Sequence, residues 1–535
     1  MIITRASLLL RLVCCGLLAV IVYSCQNQAP GVVAEAVNFD TSYHPAVFTD
    51  PGRMEKIMQA RPVIDKMFRD YADSNHLPGV AYGLVVDGKL VYSGSIGYTN
   101  IEKKIPVTSS SLFRIASMSK SFAAMAILKL RDEGKLSLDD PAYRYIPELK
   151  GLKYPTADAP AISIRHLLSH GAGFPEDNPW GDRQLADSDK DLMELIGRQL
   201  SFSNPPGIAY EYSNLGFALL GKIITVVSGM PYQDYIKKNI WEPLGMKFTT
   251  YEYGEVAPDK LAHGYRWLNE KWNEETLLHD TRDGSWGAMG AMISSIDEFA
   301  NYVGFHLSAW PPGNGPDNGP VKRSSAREMQ YPWRINGLNA GYKYPGGRVC
   351  PAATAYCFGL NWLRDCENRV YVGHSGGLPG FGSQWRIMPD YGIGIISFAN
   401  RTYAPMGFVN LAVLDTLVRI AQLMPRELPP SRILEQRKTE LVSLLPAWKD
   451  AQQSGIFAEN FFPDYPIDSL RKQATELFNK AGAIQSVSWV KPENQLRGSF
   501  VLTGEHTDIE VYFTLSPENP ALIQEYYIRE LERPK

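Results

Sequence analysis

Six cysteines are spread over 535 residues, and none stands in a Cys-x-x-Cys spacing. That excludes a zinc knuckle and a thioredoxin-type redox pair. Basic residues never run longer than two, and 54 Lys and Arg against 57 Asp and Glu leave a formal net charge of −3. A sequence-independent nucleic-acid binder needs a clustered cationic face, so no nucleic-acid partner is expected. The apolar run Leu12–Tyr23 falls short of the ~20 residues that a membrane span needs, and the composition excludes a polytopic membrane protein. There is no internal repeat and no low-complexity tract, which excludes solenoids and disordered chains. Glycine and proline are plentiful instead, at 45 and 37 residues, and mark a loop-rich fold of enzyme size. At ~150 residues per domain the length allows two to four domains.

The N-terminus reads as a targeting segment. Arg5 and Arg11 form a basic start, the apolar run follows, and Val22-Tyr23-Ser24-Cys25 ends it. A small residue before cysteine at this place resembles a bacterial lipobox. We expect residues 1–24 to be a signal peptide, Cys25 to carry lipid, and residues 25–55 to form a tether. The mature chain would then sit in the bacterial cell envelope, periplasm or outer membrane, touching the membrane by that lipid alone. Cys14 and Cys15 fall in the removed segment. Cys350, Cys357 and Cys366 remain, enough for one disulfide, with Cys350–Cys357 closing the shortest loop.

Val63, Ile64, Met67, Phe68 and Tyr71 recur at helical spacing. Asp87-Gly88 then separates two β-rich runs, 79–86 and 90–92. Both central residues of a type I′ turn need positive φ, so this is a hairpin signal. Residues 117–133 read as a helix that is apolar nearly all round and therefore buried. From about 135 to 300 the chain reads as short helices and loops. Strands follow at Gly382–Met388 and Ile393–Ala399. Strands at both ends with helices between them imply one sheet with an inserted helical subdomain. Prolines from Pro425 to Pro430 mark a boundary, so we expect a first domain over 56–425 and a small α+β domain over 431–535. The second would hold helices over 432–480 and antiparallel strands at 483–490, 496–503, 508–516 and 523–528.

Ser117-Met118-Ser119-Lys120 is a Ser-x-x-Lys at the head of the buried helix. Positions i and i+3 share a helix face, so the serine hydroxyl and the lysine amine can meet. Serine needs an adjacent base to act as a nucleophile, and lysine serves only if burial or a nearby cation lowers its pKa. The motif alone is weak, because Ser469…Lys472 and Ser488…Lys491 repeat it. Order distinguishes the first copy: Tyr212-Ser213-Asn214 and then His374-Ser375-Gly376-Gly377 come only after Ser117.

This ordered set resembles the class C β-lactamase-like branch of the penicillin-recognising serine hydrolases, over roughly residues 60–420. Flanking segments agree, among them Phe113–Ala116, Leu138–Pro141, Arg165–His170 and Pro243–Met246. The resemblance implies an α/β (α+β) fold, a β-lactamase/transpeptidase-like antiparallel sheet with flanking helices. It also implies roles. Ser117 would attack the acyl carbon and Lys120 would take or relay its proton. Tyr212 would act as general base in acylation, protonate the leaving group and then activate water in deacylation, and Asn214 would orient substrate and Lys120. The N–H groups of Ser117 and Gly377 would form the oxyanion hole. His374 stands where penicillin-active members often carry lysine, and with Ser375, Gly376 and Gly377 it would bind substrate; a histidine there is largely neutral at pH 7 and offers a hydrogen bond but little charge. No metal and no cofactor is implied.

Competing readings are weaker. His166 and His170 are spaced i and i+4, but no Glu follows as in His-Glu-x-x-His, so they read as structural. Asp283, Trp286 and Met289 lie in a glycine-rich loop that could border the cleft. Gly373-His374-Ser375-Gly376-Gly377 also satisfies Gly-x-Ser-x-Gly, but that elbow needs a helix after the serine, and Leu378-Pro379-Gly380 cannot start one. The expected function is an exported serine hydrolase of small-molecule esters or D-amino-acid amides and peptides. The alternatives are a β-lactamase or DD-carboxypeptidase, and a catalytically idle binder of cell-wall peptides.

Overall fold

The computed structural model describes residues 42–276, 284–531 and 533. The signal segment, Cys25 and Asp283 lie outside the described residues. Within the expected tether, the chain is docked from Val47 onward. Val47 and Glu427 exchange backbone hydrogen bonds at 2.9 and 2.8 Å. Phe48 lies under two guanidinium groups, Arg53 at 3.8 Å and Arg426 at 4.4 Å from its ring centre, contacts that a loose tether would lack.

Helix α1 (Arg61–Ser74) leads into strands β1 (Gly79–Val86), β2 (Lys89–Asn100) and β3 (Ile105–Pro106). Asp87 and Gly88 take φ of 48° and 83°, as the hairpin signal requires. Helix α2 (Ser119–Asp132) is buried from Ser119 through Leu128. Helices α3 (Asn214–Ser228) and α4 (Ile296–Ser308) lie in the inserted region. Then come β4 (Arg334–Asn339), β5 (Ala352–Tyr356), β6 (Asn361–Asp365), β7 (Val370–Leu378), β8 (Phe381–Met388), β9 (Ile393–Ala399) and helix α5 (Met406–Ile420). The nine strands form one antiparallel sheet in the order β3-β2-β1-β9-β8-β7-β6-β5-β4. The two ends of the chain meet at β1–β9, as strands early and late in the sequence imply.

Strand pleating sends alternate side chains to opposite faces. Val80, Tyr82, Leu84 and Val86 pack with α1 and α5 on one face. Ala81 and Val85 join α2, α4 and the inserted helices on the other. Strands β4 to β7 were not expected from the sequence. Strand β4 is a polar, mostly exposed edge, and β7 carries three glycines, so neither shows the alternation that marks a half-buried strand.

Beyond residue 431, helices α6 (Arg432–Leu444) and α7 (Ile467–Ala481) pack on strands β10 (Ile484–Val487), β11 (Lys491–Asn494), β12 (Arg497–Gly504), β13 (Asp508–Leu515) and β14 (Ile523–Leu531). Their core, which includes Leu434, Trp448, Phe461, Phe500 and Phe513, draws only on residues 433–528. Strand β11 is an addition to the expected set. It is short, polar and contains Pro492, which an edge strand tolerates. Cys350 pairs with Cys366, and Cys357 is a buried free thiol. The shortest loop is therefore not the one closed.

Candidate active site

Ser117 lies in a single 3₁₀ turn, Ala116–Met118, that feeds α2. The turn is held on both sides. The Ile115 N–H donates to Met292 O at 2.9 Å, and the Ser383 hydroxyl donates to Ile115 O at 2.7 Å. The Ser119 hydroxyl donates to Ala116 O at 2.7 Å. Ala116 adopts φ 51°, a left-handed conformation that costs a residue with a Cβ about 1–2 kcal/mol. Such strain persists only where surrounding contacts dictate it, and here it fixes the backbone that carries the next residue, Ser117.

Lys120 is fully buried. Its Nζ lies 3.0 Å from Ser117 Oγ, 2.6 Å from Asn214 Oδ1 and 2.8 Å from Met289 O. Burial pushes its pKa down to about 7, while Asp182 and Asp177 work the other way. Tyr212 packs its ring 4.9 Å from the same Nζ. Burial drives its phenol well above the ordinary value, and a hydrogen bond with Ser117 only partly offsets this. The amine is therefore the group ready to accept a proton near neutrality, and the phenol is the group that keeps one.

Asn214 begins α3 and orients Lys120 through Oδ1. Its Nδ2 donates to Asn178 Oδ1 at 2.8 Å. Asp177 accepts the N–H groups of Asn214 at 2.6 Å and Leu215 at 2.8 Å, a carboxylate on a helix N-terminus. Asp182 accepts from the Tyr403 hydroxyl at 2.9 Å, and burial lifts its carboxyl to about 6. Neither aspartate belongs to a motif, so sequence reasoning passed over both. Met289, named in the sequence only as a loop residue, supplies the carbonyl on Lys120.

Strand β7 forms the opposite wall. Its partner β6 stops opposite Gly373, so residues 374–378 are paired on the β8 side alone. The nucleophile turn packs there. A Cβ on Gly376 would stand 2.2 Å from Ile115 O and 2.9 Å from Ala116 Cβ, so only glycine lets turn and strand approach. Ser375 is exposed. It lies mid-strand, with no helix behind it, which removes the elbow reading.

His374 is buried, and both ring nitrogens have protein partners. Nδ1 lies 2.5 Å from Ser375 O, and Nε2 lies 2.9 Å from the Tyr356 hydroxyl. Since Nδ1 faces a carbonyl it carries the proton, and Tyr356 donates to Nε2. Burial holds the ring neutral, with its pKa down to about 3. Sequence reasoning offers a substrate a hydrogen bond from His374. In this arrangement no donor is left for one, and the exposed hydroxyl beside it is that of Ser375. His170 lines the same wall in a structural role, with Nδ1 accepting from the Ser213 N–H at 3.1 Å. Its ring lies 4.3 Å from those of Tyr212 and Tyr356. His166 accepts from the Ser163 N–H in a helix cap.

Residues 64–420 match the family described as Beta-lactamase. The chain is 28% identical over 348 residues to Protein flp of Staphylococcus aureus strain MW2, which is 64% of each chain. It is 28% identical over 320 residues to Penicillin-binding protein 4* of Bacillus subtilis strain 168, which is 59% of this chain and 66% of that one. The matches thus span just under two thirds of these curated relatives. Among solved structures, the octameric penicillin-binding protein homologue from Pyrococcus abyssi superposes with a TM-score of 0.56 at 21% identity, over 88% of this chain and 96% of that one. The penicillin binding protein from Bacillus halodurans gives 0.52 at 22%, over 66% and 98%. At these identities the superpositions speak for the fold.

Proposed function

Because the chain belongs to the Beta-lactamase family of serine hydrolases, we propose that it is an exported hydrolase that forms an acyl-enzyme on Ser117 and cleaves short esters or D-amino-acid amides. The observation that carries this reading is the 3.0 Å contact between Ser117 Oγ and a buried Lys120 whose pKa is brought down to about 7. Ser117 Oγ attacks the acyl carbon as its proton passes to Lys120 Nζ. Backbone N–H groups of Ser117 and Gly377 would receive the developing oxyanion, as the family resemblance implies. The bond to the leaving group breaks, and the neutral Tyr212 hydroxyl supplies its proton. Lys120 then restores the proton to Tyr212. Water repeats the sequence on the acyl-enzyme and frees Ser117. This assigns the base to Lys120 and the acid to Tyr212, because burial opposes a phenolate far more than a neutral amine.

His374 supports the choice of substrate. A permanently charged lysine there would hold a substrate carboxylate, whereas a neutral ring with both nitrogens engaged gives no charge and no donor. A charge-assisted hydrogen bond is about twice as strong as a neutral one, so its lack costs a carboxylate-bearing substrate ~1–2 kcal/mol. Steady-state assays with p-nitrophenyl acetate, p-nitrophenyl butyrate and nitrocefin test this. Ester turnover with slow or no nitrocefin hydrolysis is expected. Efficient nitrocefin hydrolysis without esterase or D-amino-acid amidase activity would make the protein a β-lactamase.

A further inference from the structure

Beside the catalytic strand, on the residues of β4 to β8, lies a cavity of ~250 Å³ whose wall includes Asn336, Tyr342, Thr354, Asn361, Tyr371 and Arg386. Asn336 and Asn361 are exposed and form its mouth. Arg386 lies inside it. The Gln384 side-chain amide lies 3.0 Å from Nη2 and 3.2 Å from Nε, and its carbonyl is assigned to that side because only then do both N–H groups find an acceptor. The Tyr371 ring lies 5.9 Å from the guanidinium carbon. Nη1 is buried and has no hydrogen-bond partner.

No carboxylate pairs with this arginine among the described residues. The acids of this region are committed elsewhere. Asp365 accepts from the Tyr344 hydroxyl at 2.7 Å, and Asp415 from Arg348 at 2.7 Å and Arg369 at 3.0 Å. Glu367 accepts from Arg348 at 3.0 Å. A guanidinium does not shed its proton in a protein, and a buried charge is costly unless paired. Burial lowers its pKa, in keeping with that cost.

We propose that this cavity is a binding site for a monovalent carboxylate, held by the guanidinium of Arg386. One uncompensated cation calls for one negative charge, and the rest of the wall is uncharged, its polar groups interleaved with Ala355, Trp362 and Leu363. A carboxylate oxygen can accept an N–H of the guanidinium, and the Asn361 amide and Tyr342 hydroxyl can supply further donors. At ~30 Å³ for a water, the space takes about eight water-sized groups, enough for a short-chain carboxylic acid. The site is separate from Ser117 and binds without turnover, so it stands or falls independently of the proposed activity.

The test uses the full chain, with thermal melts and isothermal calorimetry against sodium acetate, sodium butyrate, sodium phosphate and sodium chloride at matched ionic strength. Acetate and butyrate should raise Tm saturably and beyond chloride, as ligand linkage requires. Arg386→Gln should abolish the response. Should that variant fail to fold, Asn361→Leu at the mouth should weaken carboxylate binding at least fivefold. An equal response to chloride, a response to phosphate alone, or undiminished acetate binding in a folded variant would each overturn the proposal.

Discussion

A lysine whose pKa falls to about 7 ties the rate to pH in one direction. Only the neutral amine can accept the Ser117 proton, so acylation should rise ~tenfold per unit below pH 6 and level off above about pH 8. Single-turnover acylation followed by stopped flow checks this, and a rise confined to pH above 9 would mean no tuned base is present. Lys120→Arg keeps the charge but cannot accept a proton, and should cost at least ~100-fold in acylation. Ser117 and Lys120 were legible because a local spacing and the motif order pick them out. The partners Asn178, Asp177, Asp182 and Tyr356 were not. They reach the site through tertiary packing, and no spacing announces that. The engaged state of His374 was hidden for the same reason. Its identity was plain, but its second partner, Tyr356, comes from a strand that the sequence did not reveal.

Among the elements, β7 decides whether the site exists. Gly376→Ala would place a methyl against Ile115 O and Ala116 Cβ. Overpacking of this kind costs ~1–3 kcal/mol, and the turn that presents Ser117 must shift to relieve it. Kinetics and a thermal melt on one preparation should show a fall in kcat larger than the fall in stability explains. Unchanged kcat would mean that turn and strand are not held in register there. The hairpin at Asp87-Gly88 and the buried α2 followed directly from turn chemistry and apolar patterning. Strand β7 did not, because its glycines serve the approach of another segment and not the strand itself. The sequence of a strand so used reads as a loop.

The whole molecule is a nine-stranded sheet with a core on each face, followed by a smaller module with its own core. The disulfide Cys350–Cys366 closes a loop of 16 residues, which in the chain-entropy view stabilises by ~3 kcal/mol. Cys366→Ser should lower Tm, and dithiothreitol should lower the wild type to the same value. Pairing of these two cysteines was one of several choices in the sequence, since only the fold says which sulfurs meet. An intact bond suits an exported chain. Expressed in a diderm bacterium, the protein is predicted to fractionate with membranes and to incorporate labelled palmitate, and Cys25→Ala should abolish both. Soluble wild type without label would contradict lipidation. The central claim is that Ser117 is the nucleophile, and covalent labelling of the full-length protein with a fluorophosphonate, followed by peptide mapping, tests it most directly. The account predicts label on the peptide containing Ser117, lost in Ser117→Ala and retained in Ser375→Ala; label that survives in Ser117→Ala and disappears in Ser375→Ala would contradict it.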